Sequence, residues 1–406
     1  MTDPILLILI TVAIAVGWWL GRRGAQSRHE YPWPSGGALP SEYYRGLNFL
    51  LDGSQDSAID AFTRALEVNT ETFDTHIALG NVLRRRGEVE RAIRIHQNLL
   101  ARPSLPNSQL HLAHLELARD YISAGLLDRA ERLLLDLVEE SSEHRRLAQR
   151  HLLEIYEAQS DWSQARLVGE ALLPRRSLLK GSKIPAAEVG QPIPVLLAHY
   201  CCQQAEQALA RNDWSVARDV LKDALKYDRT CVRASLMQGD LEFRVGNYDR
   251  AVSILMAIPT QDIGFVPQAV PLLRQAFDAL GRRIQLRGWL QSCLDQSPST
   301  VLTLALAEEL RDTEGDESAK AFLRSALEQK PSLRGLAMLI QLCDASEAGE
   351  DAELQIQTLK RLVEARSSYR CQHCGFHGQQ LHWYCPGCKH WGTIQDLGNT
   401  GEVVRA

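Results

Sequence analysis

Four cysteines near the C-terminus have types and spacing suited to binding a metal ion. Cys371, Cys374, Cys385 and Cys388 follow the pattern C-x2-C-x10-C-x2-C. Each C-x2-C closes a tight knuckle whose thiolates can face one ion, and two knuckles complete a closed tetrahedral site. Because a closed site leaves no position for water, we predict a structural metal rather than a hydrolytic one. Zinc is favoured over iron, because no flavin or redox-partner motif accompanies the site.

Other roles for these cysteines are less consistent with the sequence. The chain has 9 cysteines, so they cannot all pair, and free thiols beside the two C-x2-C pairs indicate a reducing compartment, which disfavours disulfides. No βαβ pattern surrounds the pairs, which disfavours thioredoxin-like redox chemistry. Two glycines are predicted to supply unusual backbone angles in the knuckles, Gly375 and Gly387. Four neighbouring histidines are left out of the ligand set because the cysteines already fill it: His373, His377, His382 and His390.

A ribbon this small needs both its metal and a supporting surface. About 25 residues cannot form a stable core without a metal or another staple. Its large aromatic residues, Phe376, Trp383, Tyr384 and Trp391, exceed what the ribbon can bury. We therefore expect some of them to dock the ribbon on the last helices of the preceding domain.

Residues 41–366 carry a repeating pattern of small and aromatic residues. Asn212, Trp214 and Ala217 are followed 34 residues later by Gly246, Tyr248 and Ala251. A period of 34 residues is the tetratricopeptide signature, in which each repeat is a pair of antiparallel helices. The segment is long enough for roughly nine repeats, with an irregular break near 174–194.

Within each repeat, small residues are expected to serve two purposes. Ala92 and Ala251 should let neighbouring helices approach closely, while Gly87, Gly125 and the pair Gly246-Asn247 should form the tight turns. Two arginine clusters, 84–86 and 145–146, are interpreted as solvated faces, with a site for an acidic partner as the alternative.

The N-terminal sequence predicts a membrane anchor. Residues 5–20 contain 16 residues without a charge, end in Trp18-Trp19, and are followed by Arg22 and Arg23. A secretory signal peptide would carry its basic residues before the apolar run and small residues after it. We therefore predict one transmembrane helix within 1–21 and a juxtamembrane linker at 22–40. The positive-inside rule places the rest of the chain in the cytoplasm.

Composition narrows the functional classes. The chain has 406 residues and a formal net charge of −5. This charge disfavours non-specific electrostatic binding to nucleic acid. We find no phosphate-binding loop, dinucleotide fingerprint, zinc-protease motif or serine-nucleophile elbow, so we predict a binding protein rather than an enzyme. The fold class is all-α: a tetratricopeptide solenoid at 41–366, a transmembrane helix before it, a metal ribbon at 367–395 and a tail at 396–406.

Several strings resemble the lipopolysaccharide assembly protein B family of Gram-negative bacteria. They include residues 17–23 at the membrane exit, 79–97 and 119–131 in the repeats, and 369–376 and 385–388 in the ribbon. The resemblance covers nearly the whole chain and identifies the ribbon as the rubredoxin type.

The resemblance implies an inner-membrane adaptor that regulates lipopolysaccharide synthesis. Such adaptors present the UDP-acyl-N-acetylglucosamine deacetylase of the lipid A pathway to the membrane protease FtsH, and an inner-membrane lipopolysaccharide sensor restrains them. Two other functions remain open: a non-proteolytic scaffold that gathers synthesis and export proteins, and an electron-transfer protein with an iron centre. Arrays of this kind can also self-associate, so homo-oligomers are a further alternative.

Overall fold

The structure, a computed structural model, describes most of the chain between residues 41 and 397. The described ranges are 41–68, 73–102, 105–173, 190–343 and 368–397, together with 357, 358 and 361. The predicted anchor, the linker and most of the predicted break at 174–194 lie outside these residues. Within the described ranges, no helix has the length and apolar character needed to cross a membrane. The chain forms two compact units that divide between His144 and Arg145.

The first unit is built from helical hairpins. Its helices are α1 (Ser41–Leu51), α2 (Gln55–Val68), α3 (Phe73–Arg85), α4 (Val89–Leu100), α5 (Asn107–Ser123) and α6 (Leu127–Glu140). Each odd-numbered helix packs on the even-numbered helix that follows it, as tetratricopeptide repeats require.

The second unit continues the same pattern and ends in the ribbon. Its helices are α7 (Arg145–Gln159), α8 (Trp162–Leu172), α9 (Ile193–Ala210), α10 (Trp214–Tyr227), α11 (Val232–Arg244), α12 (Tyr248–Met256), α13 (Ile258–Gln261), α14 (Val266–Ala279), α15 (Arg283–Gln296), α16 (Thr300–Glu314), α17 (Asp316–Gln329) and α18 (Leu333–Leu342). A 3-10 turn, Ile263–Phe265, joins α13 to α14. The hairpins are α7–α8, α9–α10, α11–α12, α14–α15 and α16–α17, and α18 packs on the last of them.

The hairpin turns use a residue in the left-handed backbone region. Gly87 has φ of 88°, and the amide of Glu88 then donates a 2.9 Å hydrogen bond to the carbonyl of Leu83. The predicted turns at Gly87, Gly125 and Gly246 are confirmed by their positive φ. Asn247 differs from the prediction: its φ is −85°, so the glycine before it forms the turn and Asn247 begins the next helix.

Small residues lie where helices cross most closely. Ala92 and Ala251 are fully buried, as predicted. Gly239 of α11 faces Leu255 of α12, and a Cβ on Gly239 would lie 2.6 Å from Leu255 Cδ2. A side chain at Gly239 would therefore have to displace Leu255 from its buried position for the hairpin to close this tightly.

Buried carboxylates link one hairpin to the next. Glu242 of α11 is fully buried and accepts hydrogen bonds of 2.9 and 3.3 Å from Arg218 of α10. Glu309 of α16 is also fully buried and accepts the same bidentate pair from Arg283 of α15. Breaking such a pair would leave a buried charge without its partner, so each link disfavours separation of neighbouring hairpins.

The arginine cluster 84–86 is not simply a solvated face. The side chain of Arg84 is 15% exposed and reaches α5, where it lies 2.7 Å from Glu116 and 2.7 Å from Asp120. His96 of α4 joins the same group, with Nδ1 2.6 Å from Asp120. Arg84 therefore serves packing within the first unit, and only part of the cluster faces solvent.

A glycine-to-alanine pair tests the close approach in the second unit. Gly239→Ala should lower the free energy of unfolding by about 1–3 kcal/mol, because the added methyl group forces Leu255 out of a packed site. The control is Gly288→Ala on α15, where an added Cβ meets nothing within 4 Å; it should be neutral or stabilising by up to about 1 kcal/mol. Urea unfolding of the purified chain, followed by circular dichroism, measures both. Equal midpoints would contradict the steric explanation.

Candidate metal centre and its docking surface

A three-stranded antiparallel sheet positions the two cysteine knuckles. The strands are β1 (Tyr369–Cys371), β2 (His377–Gly378) and β3 (Ile394–Asp396), in the order β2-β1-β3. Cys371 ends β1, and the amide of Gly375 closes the first knuckle with a 3.0 Å hydrogen bond to the carbonyl of Cys371. The amide of Lys389 closes the second in the same way, at 3.0 Å from the carbonyl of Cys385.

The glycine prediction for the knuckles is half right. Gly375 has φ of 77°, as expected, but the matching position of the second knuckle is Lys389, with φ of 60°. Gly387 is needed for a different reason. A Cβ there would lie 3.3 Å from Cys374 Sγ, so Gly387 makes room for a cysteine of the opposite knuckle.

The four cysteine sulfurs converge. All of them lie within 4.8 Å of one another. The separations Cys371–Cys388 and Cys374–Cys385 are both 3.7 Å. Four thiolates around an ion at about 2.3 Å form a tetrahedron with edges of about 3.8 Å, so the donor set fits a metal ion. The same geometry suits zinc or iron and does not identify the metal.

Hydrogen bonding favours ionisation of the Cys371 thiol. Cys371 is buried, which opposes ionisation, but the Thr393 hydroxyl lies 3.2 Å from its sulfur. Together with the backbone of Cys374 and His373, this contact lowers the pKa of Cys371 to about 6. Metals bind the deprotonated thiol, so a lowered pKa favours binding near neutral pH.

Trp391 is the main contact between the ribbon and the helices. Only 3% of its surface is exposed. Its indole nitrogen donates a 3.1 Å hydrogen bond to Glu157 of α7. Its backbone amide donates to the Gln191 side-chain oxygen at 2.6 Å, and its carbonyl accepts from the Gln191 side-chain nitrogen at 2.8 Å. Both polar ends of this residue are therefore satisfied by the second unit.

Aromatic and cationic groups enclose the Trp391 ring. His199 of α9 stacks on it with ring centroids 5.1 Å apart and planes 20° apart. Trp162 and Tyr200 meet it edge-on, and the Arg233 guanidinium lies 5.6 Å from its centroid. The Tyr200 hydroxyl also donates a 2.6 Å hydrogen bond to Glu157, so one carboxylate orients two aromatic side chains.

A second group of contacts lies toward the end of the array. Trp383 stacks on Phe265, with centroids 5.3 Å apart. The Gln395 side-chain nitrogen donates to Asp262 at 3.1 Å. Two further hydrogen bonds join Gln268 of α14 to the Tyr369 hydroxyl at 3.2 Å, and Arg334 of α18 to the Ser368 hydroxyl at 2.6 Å.

The predicted docking is confirmed, but its extent was underestimated. Trp383 and Trp391 make the contacts, whereas Phe376 packs against the buried cysteines inside the ribbon. The supporting surface is not limited to the last helices, because it begins at α7 and ends at α18. Half of the contacting residues named above lie on the first helix of successive hairpins, namely α7, α9, α11 and α14.

Burial at this interface shifts two ionisable groups in opposite senses. His199 loses its hydration, and Arg233 disfavours its protonation further, so its pKa falls to about 3. Its Nδ1 is buried and has no hydrogen-bond partner in the part of the chain that the structure describes. Burial raises the pKa of Glu157, although hydrogen bonds from Tyr200 and Trp391 partly oppose the rise.

The low pKa of His199 predicts a specific loss of stability in acid. An unfolded histidine has a pKa near 6.5, so the unfolded state takes up the proton first as the pH falls. The contribution of His199 is complete above about pH 6.5 and declines toward pH 3, by about 2 kcal/mol at pH 5. His199→Phe keeps an aromatic ring and should flatten this decline in thermal or urea unfolding.

Cysteine protonation also destabilises the ribbon in acid, but it affects wild type and variant alike. The difference between their pH profiles therefore isolates His199. His377→Phe, on the exposed side of β2, is the matched control and should follow the wild-type profile. Parallel profiles for wild type and His199→Phe would show that the buried imidazole does not control this response.

Comparisons with known proteins agree with the architecture. The family description "Rubredoxin metal binding domain" matches residues 369–396, and tetratricopeptide repeat families match 75–109 and 202–264. Among solved structures, the C-terminal part of a tetratricopeptide repeat protein from Cytophaga hutchinsonii is 9% identical, with a TM-score of 0.39; the match covers 72% of this chain and 99% of that one. That score is too low to bear on fold or function.

Two curated relatives match along nearly their whole length. Lipopolysaccharide assembly protein B of Escherichia coli is 34% identical over 397 residues, which is 97% of this chain and 98% of the relative. The protein of the same name from Haemophilus influenzae is 32% identical over 407 residues, with the same coverage. From the full-length match, the helical repeats and the four-cysteine ribbon together, the chain belongs to the lipopolysaccharide assembly protein B family.

Proposed function

We propose that this protein is an inner-membrane adaptor that regulates lipopolysaccharide synthesis by presenting the UDP-acyl-N-acetylglucosamine deacetylase to an FtsH-type protease. The observation that carries the proposal is the 34% identity to a lipopolysaccharide assembly protein over 97% of the chain. An adaptor of this kind binds rather than catalyses, which agrees with a tetratricopeptide array as the main domain. An inner-membrane lipopolysaccharide sensor would restrain it.

The proposed topology places the array beside the protease. Residues 1–21 would form the membrane anchor, 22–40 the linker, 41–366 the array on the cytoplasmic side, 367–395 the ribbon and 396–406 a tail. Tethering raises the local concentration of a soluble deacetylase near a membrane protease, so degradation would accelerate without any chemistry by the adaptor itself. The alternative is a scaffold, alone or as a homo-oligomer, that gathers lipopolysaccharide synthesis and export proteins without directing proteolysis.

Within this proposal the ribbon has a structural task. Cys371, Cys374, Cys385 and Cys388 would hold zinc, whose four thiolate bonds would stabilise a ribbon too small to fold alone. The folded ribbon presents Trp391 and Trp383 to the helices of the second unit. Loss of the metal should therefore weaken the array as well as the ribbon.

Cysteine replacement tests the metal and its structural role together. Cys374→Ser should abolish stoichiometric zinc in elemental analysis and lower the unfolding midpoint of the helices, because the undocked ribbon no longer supports them. Cys343→Ser, at an exposed cysteine outside the cluster, is the matched control and should keep both metal and midpoint. A coloured protein containing iron would overturn the zinc proposal, since zinc thiolates do not absorb visible light.

The half-life of the deacetylase tests the adaptor function. Depleting this protein should lengthen that half-life when the FtsH-type protease is present and leave it unchanged when the protease is absent. Pulse-chase labelling in the two strains measures both values. If depletion changes lipopolysaccharide export while the half-life stays constant, the non-proteolytic scaffold is the better description.

A further inference from the structure

A second set of metal-binding groups lies beside the four cysteines and shares one of them. Cys388 Sγ and one ring nitrogen each of His373 and His390 lie within 4.8 Å of one another. The two imidazole rings stack, with centroids 3.9 Å apart and planes 19° apart. Neither histidine contributes to the docking contacts described above. Thiolate sulfur and imidazole nitrogen are the donors that zinc-class ions prefer.

A hydrogen bond to the backbone holds the ring of His390 in place. Its Nδ1 lies 2.8 Å from the carbonyl oxygen of Cys388. A carbonyl oxygen only accepts hydrogen bonds, so Nδ1 is the donor here and Nε2 is the ring nitrogen left to bind an ion. Metal-binding histidines typically donate their other N–H to a carbonyl or carboxylate in this way, which fixes the tautomer.

Exposure varies among the donors: Cys374 of the four-cysteine set is exposed, whereas Cys371 and Cys385 are buried. Cys371 and Cys385 are 1% and 0% exposed, so a hydrated ion cannot reach them first. His373 is exposed, and His390 and Cys388 are partly exposed. An ion arriving from solvent therefore meets the two histidines, Cys374 and Cys388 before it meets the buried sulfurs of Cys371 and Cys385.

We propose that His373, His390 and Cys388 form an entrance site that accepts a divalent zinc-class ion and passes it through Cys388 to the four-cysteine site. The inference rests on the proposed metal role of the four cysteines. In a zinc site, donor atoms lie about 3.4–3.8 Å apart, so separations of up to 4.8 Å need at most about 1.4 Å of closure. The stacked rings do not yet converge, and rotation of the exposed His373 side chain supplies the movement.

The transfer is a ligand exchange without redox chemistry. Imidazole nitrogens and the Cys388 sulfur, which releases its proton to solvent as it binds, replace water molecules on the incoming ion. Cys388 then keeps its bond while the remaining thiolates replace the two imidazoles. In a loaded protein the incoming ion binds His373 and His390 and shares the Cys388 thiolate with the resident ion, which then gives up its thiolates to the incoming ion and regains water. Because the incoming ion takes part, the exchange rate should depend on its concentration.

Zinc exchange in the full-length, zinc-loaded chain tests the proposal. Isotopically labelled zinc is added at a series of concentrations, and mass spectrometry follows its incorporation. The exchange rate should rise with labelled zinc in the wild type. His373→Ala/His390→Ala should slow it about tenfold or more while keeping stoichiometric zinc and the same circular dichroism. The matched control is His377→Ala/His382→Ala, two exposed ribbon histidines outside this set, and it should exchange like wild type.

Three outcomes would overturn the entrance site. The double variant could exchange zinc at the same rate as its control, or the control could be slowed as much as the double variant. The wild-type exchange rate could also be independent of the labelled zinc concentration. If the double variant loses its zinc, His373→Ala alone is used, because this exposed ring can be removed with the least disturbance; an unchanged rate there also overturns the proposal. A wild-type chain that holds no zinc overturns the four-cysteine proposal instead, which separates the two failures.

Discussion

The burial of Trp391 is the interaction on which the second unit depends. Its ring lies between His199, Tyr200 and Trp162, and its polar atoms are satisfied by Glu157 and Gln191. An indole buries a large apolar area, and its N–H must find an acceptor when it leaves water. Trp391 follows the second knuckle of a ribbon that is too small to fold without a metal or another cross-link. Metal binding in the ribbon and packing of the helices are therefore thermodynamically coupled.

Buried ion pairs between the helices specify how neighbouring hairpins are arranged. Fully buried carboxylates such as Glu242 and Glu309 bind arginines of the preceding hairpin. Such pairs add little net stability compared with apolar packing, but they penalise any arrangement that leaves a charge unpaired. Apolar surfaces alone would allow neighbouring hairpins to slide against each other. The charged links favour one arrangement, and the ribbon then finds its contact residues at the correct separations.

Much of this architecture could be predicted because its signals are local. The spacing of Cys371 and Cys374 is set by a single knuckle, and the period of the repeats is set by a single hairpin. The docking surface could be anticipated only from surplus aromatic residues. Its location could not, because Trp391 meets Glu157 across 234 residues of sequence. Likewise Arg84 resembles an exposed cation until α5, 32 residues later, supplies its carboxylates.

The ribbon is synthesised after the helices on which it docks. Gln191 and Trp391 are 200 residues apart, so the ribbon emerges from the ribosome roughly 10–40 s after the helices that receive it. During that interval the ribbon does not yet cover the surface around His199 and Phe265. Aggregation or binding by a chaperone then competes with docking of the ribbon. A truncated chain, or a complete chain starved of metal, would remain in this unfinished state. Docking of the ribbon therefore requires both that the chain has been translated past Trp391 and that the four cysteines have their metal.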